Sequence, residues 1–260
     1  DTMGLARCAI NAETMQSKKH YIEPAKKIKN VAVVGGGIGG MESAIVLAKR
    51  GHKVTLYEKG DQLGGVFIAA AAPSFKEKDR DLIAWYRREL TKYPSITVKL
   101  NTEVKSIEEL NADEVIIATG SRANRIPVKG VEKTIQAVDF LLGKHEVGEN
   151  VTIIGGGLTG CEIAYELYLQ GKKPTIVEMM DDLIVTPGIC LANTSFLRDF
   201  FKANKVPVHL ETKLCEIHDD GVTVADKSGM QFKIAADNVI LCTGYKPAPL
   251  AEKDKHVHIV

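Results

Sequence analysis

The sequence predicts an α/β protein that contains two copies of one βαβ unit. Three observations support this fold class: a glycine-rich motif occurs twice, a β-branched run precedes each copy, and a helical apolar stripe follows each copy. Residues 35–40 (GGGIGG) recur as residues 155–160 (GGGLTG), 120 positions later. The same spacing relates Glu58 to Glu178. A register kept over this distance indicates an internal repeat rather than a chance match.

The first element of each copy is a strand. Residues 31–34 (VAVV) and 151–154 (VTII) lack polar alternation, which predicts strands buried on both faces of a parallel sheet. Second strands are predicted at 54–57 and 175–177, each followed by a glutamate. Each copy therefore forms a complete βαβ unit.

A helix joins the two strands of each copy. Apolar residues after each glycine motif follow the i, i+3, i+4, i+7 spacing of a helix that packs on a sheet: Met41, Ala44, Ile45 and Ala48 in the first copy, and Cys161, Ala164, Tyr165 and Tyr168 in the second. Gly51 and Gly171 stand where left-handed caps would end these helices. Further helices are predicted over 77–93, with Trp85 as a packing residue, and over 193–203. Short strands are predicted near Val98, Val115, Val208, Val222, Phe232 and Val239.

The glycine motifs are typical of Rossmann-like dinucleotide-binding domains. A pyrophosphate is bound there by free backbone N–H groups and by the positive end of a helix. The first glycine permits the tight turn, the second lets main chain reach the phosphates, and the third allows close packing of helix on strand. The predicted phosphate-binding residues are Gly35, Gly37 and Gly40 in one copy and Gly155, Gly157 and Gly160 in the other.

Glu58 and Glu178 each lie 18 residues beyond the last glycine of their motif, where a carboxylate accepts hydrogen bonds from adenosine-ribose hydroxyls. A carboxylate about 4 Å from a 2′-phosphate would be repelled by up to roughly 4 kcal/mol at an effective dielectric of 20. Residues 179–182 contain no Lys or Arg that would offset this repulsion. The second site is therefore expected to prefer NADH to NADPH.

Other candidate binding residues lie in loops close to these motifs. Lys59 follows Glu58, and the pair Gly64–Gly65 would let main chain approach a longer ligand. Two turns at predicted strand C-termini, where open α/β sheets bind ligands, complete the candidate set: Thr119, Gly120, Thr243 and Gly244.

Composition argues for small-molecule partners. The 34 Lys+Arg residues balance 33 Asp+Glu, for a net charge of +1, so neither nucleic acid nor an anionic membrane is expected to bind. No apolar run is long enough to span a membrane, and no secretory signal is evident at the N-terminus, so a cytoplasmic protein is expected. The five cysteines include no close pair, which argues against a dithiol redox centre; they are Cys8, Cys161, Cys190, Cys215 and Cys242.

With these motifs the chain resembles the two-dinucleotide-binding flavoproteins. It is most similar to the C-terminal FAD/NAD(H)-binding half of old-yellow-enzyme-like NADH:flavin oxidoreductases, such as 2-enoate reductase, 2,4-dienoyl-CoA reductase and trimethylamine dehydrogenase. The residues that carry the likeness are 7–11 (RCAIN), 24–27 (PAKK), 58–65 (EKGDQLGG), 69–76, and the strand ends 118–120 (ATG) and 242–244 (CTG).

The resemblance implies a domain plan and two cofactors. A linker is expected over 1–24, an FAD- or ADP-binding domain over 25–130 plus 245–260, and an NAD(H)-binding domain over 131–244 inserted in it. Hydride would pass from NADH to FAD, with no catalytic side chain assigned. The family continues with a Gly-Asp pair that holds FAD; because the chain ends at Val260, looser retention of FAD is expected.

In a longer parent protein, the resemblance implies an N-terminal barrel that carries FMN beside a 4Fe-4S cluster. Cys8 matches the last cluster ligand of the family, although a free thiol is expected in this chain alone.

Two other functions stay open: a structural module that binds ADP or FAD without turnover, and a disulfide reductase or peroxide enzyme that uses a single cysteine. His256 and His258 share one face of a predicted strand, a geometry that suits metal, but no third ligand stands near them in sequence.

Overall fold

The structure is a computed structural model that describes residue 8 and residues 13–260. In this part of the chain the strands are β1 (Asn30–Val34), β2 (Lys53–Tyr57), β3 (Ile96–Lys99), β4 (Glu114–Ile117), β5 (Ser121–Ala123), β6 (Ile135–Gln136), β7 (Asn150–Ile154), β8 (Lys173–Val177), β9 (Val208–His209), β10 (Lys213–His218), β11 (Gly221–Ala225), β12 (Gln231–Ala235), β13 (Asn238–Leu241), β14 (Tyr245–Pro247) and β15 (Val257–Ile259). The α-helices are α1 (Ile38–Lys49), α2 (Phe67–Ala70), α3 (Glu77–Leu90), α4 (Ala137–Leu141), α5 (Leu158–Leu169) and α6 (Leu191–Ala203). Short 3-10 helices occupy Ile107–Glu109 and Val131–Lys133. No helix in the described ranges is both long and apolar enough to cross a membrane.

The chain forms two compact units, of which the second is inserted in the first. The first unit contains the described residues up to Ile68 together with Glu77–Ser121 and Pro247–Val260. The second contains Ala69–Lys76 and Arg122–Lys246. Each has a five-stranded parallel sheet, so the predicted α/β class with two Rossmann-like domains is confirmed.

The first unit is built on a sheet of order β15-β4-β1-β2-β3, in which all pairings are parallel. Its central strand β1 is buried from Val31 to Val34, because both faces are covered. Helix α1 covers one face with the four residues of the predicted stripe, all buried: Met41, Ala44, Ile45 and Ala48. Gly51 ends this segment with φ +95°, as the cap prediction requires.

The second unit repeats this plan with a sheet of order β6-β13-β7-β8-β9 and adds an antiparallel sheet, β10-β11-β12. The stripe predicted for α5 is only half right. Cys161 and Ala164 are buried, whereas Tyr165 and Tyr168 are partly exposed, and their rings pack edge-on against Phe200 of α6. Ile163 and Leu167 take the buried positions instead.

The compact units divide the chain at points other than the predicted boundaries. Ile126 and Val128 pack against the core cluster that contains Ile154 and Val177 of the second unit. A Cβ atom on Gly130 would lie 2.1 Å from the carbonyl oxygen of Ile217. Residues 122–130 therefore pack with the second unit, while the cofactor assigned to each unit remains a prediction.

Residues 69–76 also belong to the second unit by their contacts. The Ser74 N–H and hydroxyl both donate to Glu166 of α5, at 2.9 and 2.8 Å. Lys76 forms an ion pair of 2.8 Å with Glu162, and Phe75 packs on Tyr165. This segment begins within α2, and the chain returns to the first unit at α3.

Candidate functional site

The first glycine motif forms the turn between β1 and α1, and its outer glycines are required by the chain's own backbone. Gly35 has φ +110°, and a Cβ there would lie 2.2 Å from the Ala118 carbonyl oxygen. A Cβ on Gly40 would lie 1.8 Å from the carbonyl oxygen of Gly35. No side chain fits at either position, because main chain cannot move aside as a flexible side chain can.

The second motif, between β7 and α5, has the same geometry. Gly155 has φ +108°, and its Cβ would lie 2.3 Å from the Cys242 carbonyl oxygen. A Cβ on Gly160 would lie 1.9 Å from the carbonyl oxygen of Gly155. The predicted roles of the first and third glycines, tight turn and close packing of helix on strand, agree with these distances.

The middle glycines differ, since nothing in the described chain demands them. Gly37 and Gly157 have φ −71° and −68°, which any residue adopts, and no described atom lies within 4 Å of a Cβ built on either. Both are helix N-caps without a side-chain hydrogen bond, and no acidic residue occupies the first turn of either helix. A glycine therefore keeps open a space that faces free N–H groups and the positive end of a helix, which fits a pyrophosphate.

The two glutamates hold the loop after the second strand against the glycine loop. Glu58 accepts hydrogen bonds from the N–H groups of Gly36 and Gly60, both at 2.7 Å. Glu178 accepts from Gly156 at 2.5 Å and from Met180 at 2.8 Å. Each carboxylate oxygen keeps further lone pairs, so a ribose hydroxyl can still donate to it.

The loop that follows each glutamate differs between the units. In the first, Gly64 donates to the Gly36 carbonyl at 2.8 Å, and a Cβ on Gly65 would lie 3.0 Å from Cα of Gly37. Gly65 thus packs beside the Cα atom of Gly37, away from the open space that a Cβ on Gly37 would enter. Lys59 is exposed in the same loop. In the second unit Ile184 donates to Gly156 at 2.9 Å.

The predicted strand-end turns lie at the same sheet edges as the glycine loops, because the strands are parallel. Thr119 donates its hydroxyl to the Ala248 carbonyl at 2.9 Å, and Gly120 has φ +70°. Thr243 donates to the Asn124 carbonyl at 3.3 Å, and Gly244 has φ +80°. Each turn directly follows the residue whose carbonyl lies against the first glycine of its unit.

The cysteines offer no activated nucleophile beside the second glycine loop. Burial raises the pKa of Cys161 and of Cys242 to about 12, so both thiols stay protonated near neutral pH. The Cys161 thiol donates to the Gly156 carbonyl at 3.3 Å, a packing role. Cys8 is exposed, whereas the rest of its motif, Arg7 and residues 9–11, lies outside the described residues.

His256 and His258 share a carboxylate partner that is distant from them in sequence. Both contact Glu114, at 3.3 and 2.9 Å, because β15 pairs with β4. Lys29 donates to the same carboxylate at 2.5 Å and, with the two histidines, holds the pKa of Glu114 at about 2. No group of three metal-ligating side chains with a suitable arrangement occurs within the described part of the chain.

Trp85 packs on a neighbouring ring, as the sequence predicts, but it does not lie in the core. It is 41% exposed and packs edge-on against Tyr86. Together with Tyr21 and Lys49 it lines a surface cavity of about 1290 Å³ in the first unit. The helix is amphipathic as expected, but its buried face carries Ile83, Tyr86 and Leu90.

A family model described as pyridine nucleotide-disulphide oxidoreductase matches residues 3–110 and 29–259. The chain belongs to this family. Family membership implies FAD and NAD(H) as its cofactors.

Relatives within the family are longer proteins. The chain is 41% identical over 255 residues to cinnamate reductase of Clostridium sporogenes, covering 97% of this chain and 37% of that protein. It is 36% identical to NADH oxidase of Thermoanaerobacter brockii, covering 93% and 38%. The solved structure of 2-naphthoyl-CoA reductase with 2-naphthoyl-CoA matches with a TM-score of 0.86 at 29% identity, over 97% of this chain and 40% of that one.

These relatives confirm the resemblance drawn from the sequence. The chain is an FAD/NAD(P)-binding oxidoreductase module of the enoate-reductase-like flavoproteins. It spans less than half the length of cinnamate reductase and of the NADH oxidase.

Proposed function

We propose that this chain is a flavin-dependent NADH oxidoreductase module, in which the first unit holds FAD and the second holds NADH. One observation carries the proposal. In both units the outer glycines are closed in by backbone, while Gly37 and Gly157 face open space at the N-terminus of a helix. A glycine that the chain itself does not need is explained by a ligand that approaches it.

FAD is assigned to the first unit because of the loop after its glutamate. Gly64 and Gly65 bring main chain onto Gly37, which leaves further backbone groups beside the phosphate position for a longer ligand. The second unit has Ile184 and Val185 at the corresponding positions. This asymmetry supports FAD in the first site and the nicotinamide dinucleotide in the second.

When bound, the two cofactors supply the chemistry, a hydride transfer from nicotinamide to flavin. The chain's own residues bind and orient: the glycine loops hold the pyrophosphates, and Glu58 and Glu178 hold the riboses. Thr119–Gly120 and Thr243–Gly244 form walls at the strand ends. We assign no acid or base, since hydride transfer needs none and the buried thiols are protonated.

Glu178 sets the choice of nicotinamide cofactor in this proposal. Its carboxylate is fixed by two backbone N–H groups, so it cannot turn away from a 2′-phosphate without losing both bonds. Repulsion of up to roughly 4 kcal/mol favours NADH.

The onward path of the electrons is proposed from the family resemblance of the sequence, and the greater length of the relatives leaves room for a further domain. We propose that this chain serves an N-terminal barrel with FMN and a 4Fe-4S cluster, to which Cys8 contributes the last ligand. All five cysteines are free thiols, the state that a reducing cytoplasm maintains, and we place the protein there.

An absorbance spectrum of the purified chain tests the proposal. After incubation with FAD and desalting, the flavin bands should remain with the protein, and anaerobic NADH should bleach them. Tight binding of ADP or FAD without bleaching would instead support a structural nucleotide-binding module. Calorimetry that finds no binding of FAD, ADP or NADH would contradict both functions.

A further inference from the structure

In each unit, an arginine on a helix further along the chain contacts the loop that begins at the glutamate of the repeat, residues 58–65 or 178–185. In the first unit, Arg87 of α3 donates to the carbonyl oxygen of Leu63 from Nε, at 3.0 Å, and also from Nη2. Its Nη2 donates as well to the side-chain oxygen of Gln62 at 2.9 Å. The guanidinium therefore binds two consecutive residues of the loop that leads from Glu58 to Gly65.

The second unit makes the same contact with different neighbours. Arg198 of α6 donates from Nη2 to the carbonyl oxygen of Leu183. Its Nε donates to Asp182 at 3.1 Å, and the two side chains form an ion pair of 2.9 Å. Gln62 and Asp182 occupy equivalent positions, as do the two leucines.

The peptide group held by each arginine is also the one that holds the glycine loop. The carbonyl of Leu63 accepts from Arg87, and the N–H of the same peptide, on Gly64, donates to the Gly36 carbonyl at 2.8 Å. In the second unit the peptide between Leu183 and Ile184 does the same with Gly156, at 2.9 Å. Fixing the carbonyl end of a planar peptide fixes the direction of its N–H.

The leucine side chains tighten this link. A Cβ on Gly36 would lie 2.5 Å from a methyl carbon of Leu63, and a Cβ on Gly156 would lie 2.5 Å from a methyl carbon of Leu183. Both leucines are buried. A displacement of either loop would therefore move the glycine loop that it touches.

Duplication argues that the contact is functional. Leu63 and Leu183 are 120 residues apart, whereas Arg87 and Arg198 are 111 apart. The segment between leucine and arginine therefore differs in length between the two units, yet each arginine reaches the equivalent leucine carbonyl. The 120-residue offset of the glycine motifs does not align the two arginines with each other. The same contact is nevertheless present in both units.

We propose that Arg87 and Arg198 are positioning residues for the two dinucleotides. Arg87 orients the first glycine loop for FAD, and Arg198 orients the second for NADH. The assignment of cofactors rests on the proposed function. Neither arginine binds the glycine loop directly; each acts through the single peptide that it holds.

Arg87→Met should raise the dissociation constant of FAD about tenfold and leave that of NADH unchanged, since hydrogen bonds from charged donors are worth about one such factor or more. Arg198→Met should raise the KM for NADH about tenfold with kcat unchanged at saturating NADH. Arg87→Lys should restore little, because an ammonium cannot reproduce the forked contact. Arg88→Met and Lys202→Met, at exposed neighbouring positions on the same helices, are the matched controls.

Amide hydrogen exchange on the cofactor-free chain supplies a readout that needs no bound cofactor. Arg87→Met should speed exchange in residues 58–65 and in the glycine loop 35–40 but not in the second unit. Arg198→Met should speed it in residues 178–185 and 155–160 but not in the first unit. Unchanged exchange, or variants that weaken both cofactors equally, would overturn the inference. If the wild-type chain retains neither cofactor, the proposed function falls and the positioning role with it, while local exchange changes would show that the arginines still hold the loops.

Discussion

The two glycine loops are almost superimposable in their contacts, but the loops that lie against them are not. The first unit uses Gly64 and Gly65, whereas the second uses Ile184 and Val185 at the equivalent positions. Ile184 has φ +51°, a region that β-branched residues rarely adopt and that costs on the order of 1–3 kcal/mol. Its N–H nevertheless makes the same bond to the glycine loop as Gly64.

The comparison of Gly64–Gly65 with Ile184–Val185 separates a contact that both units share from a position that differs between them. The hydrogen bond to the glycine loop is kept even by a strained residue, so it belongs to the shared framework. The residue beyond it changes from Gly65, whose main chain lies on Gly37, to Val185, which is 48% exposed. We infer that this second position is adapted to the cofactor of each unit.

The largest effect should come from a charge at the middle glycines. Gly37→Asp should weaken FAD binding and Gly157→Asp NADH binding by about a thousandfold, because a carboxylate about 4 Å from a pyrophosphate is repelled by roughly 4 kcal/mol. Both variants should fold normally, since a Cβ there meets open space. Titration calorimetry with each cofactor measures the effect, and unaltered FAD binding by Gly37→Asp would refute the assignment of the first site.

The next effect concerns the two glutamates. Glu178→Gln should reduce the preference for NADH over NADPH by about a hundredfold, because the repelling charge is removed while the side-chain length is kept. Glutamine has one side-chain oxygen and cannot accept from both N–H groups that donate to the two oxygens of Glu178. The measurement is therefore the ratio of the NADH and NADPH affinities rather than either affinity alone. Glu58→Gln is the control, and an equal change of the ratio there would contradict the role of Glu178.

Acid should act on the first unit through Glu114, which corresponds to Asn238 in the second. Its pKa is lowered from 4.5 to about 2, chiefly by the hydrogen bond from Lys29. A lowered pKa in the folded state stabilises the protein above pH 4.5, and this contribution is lost as the pH falls from 4.5 toward about 2. The free energy of urea unfolding should fall across this pH range in the wild-type chain and change less in Glu114→Gln. An equal pH dependence in the variant would exclude Glu114 as its source.

The smallest effect should come from the centre of the second sheet. Thr152 is 1% exposed, and its hydroxyl has no hydrogen-bond partner within the described residues; the first unit has Ala32 there. Thr152→Val should stabilise the chain by about 1 kcal/mol, because an unsatisfied buried hydroxyl is removed. A melting temperature raised by about 2–4 °C is expected. The mirror substitution Ala32→Thr should lower it, and a lower melting temperature for Thr152→Val would disprove this explanation.

Local pattern was sufficient to predict the framework. Strands β1 and β7, helices α1 and α5, and the caps at Gly51 and Gly171 follow from β-branched runs, apolar periodicity and glycine, all of which act within one or two turns of chain. Tyr165 and Tyr168 are only partly buried, and their rings contact Phe200, more than thirty residues away, a contact that local spacing does not reveal. Trp85 packs on Tyr86 as predicted but stays 41% exposed, since an apolar stripe shows which face of a helix is buried but not where the buried face ends.

By itself, the sequence determined the repeat, the parallel α/β class and the two glycine loops with their glutamates, because backbone sterics and periodicity require those residues at those spacings. The tertiary structure alone decided which side chains distant in sequence meet: Glu114 with His256 and His258, and the two arginines with the loop carbonyls. Such contacts depend on strand order and on the angle at which a helix returns to its sheet. Neither is written in local spacing, so these contacts are visible only in the folded chain.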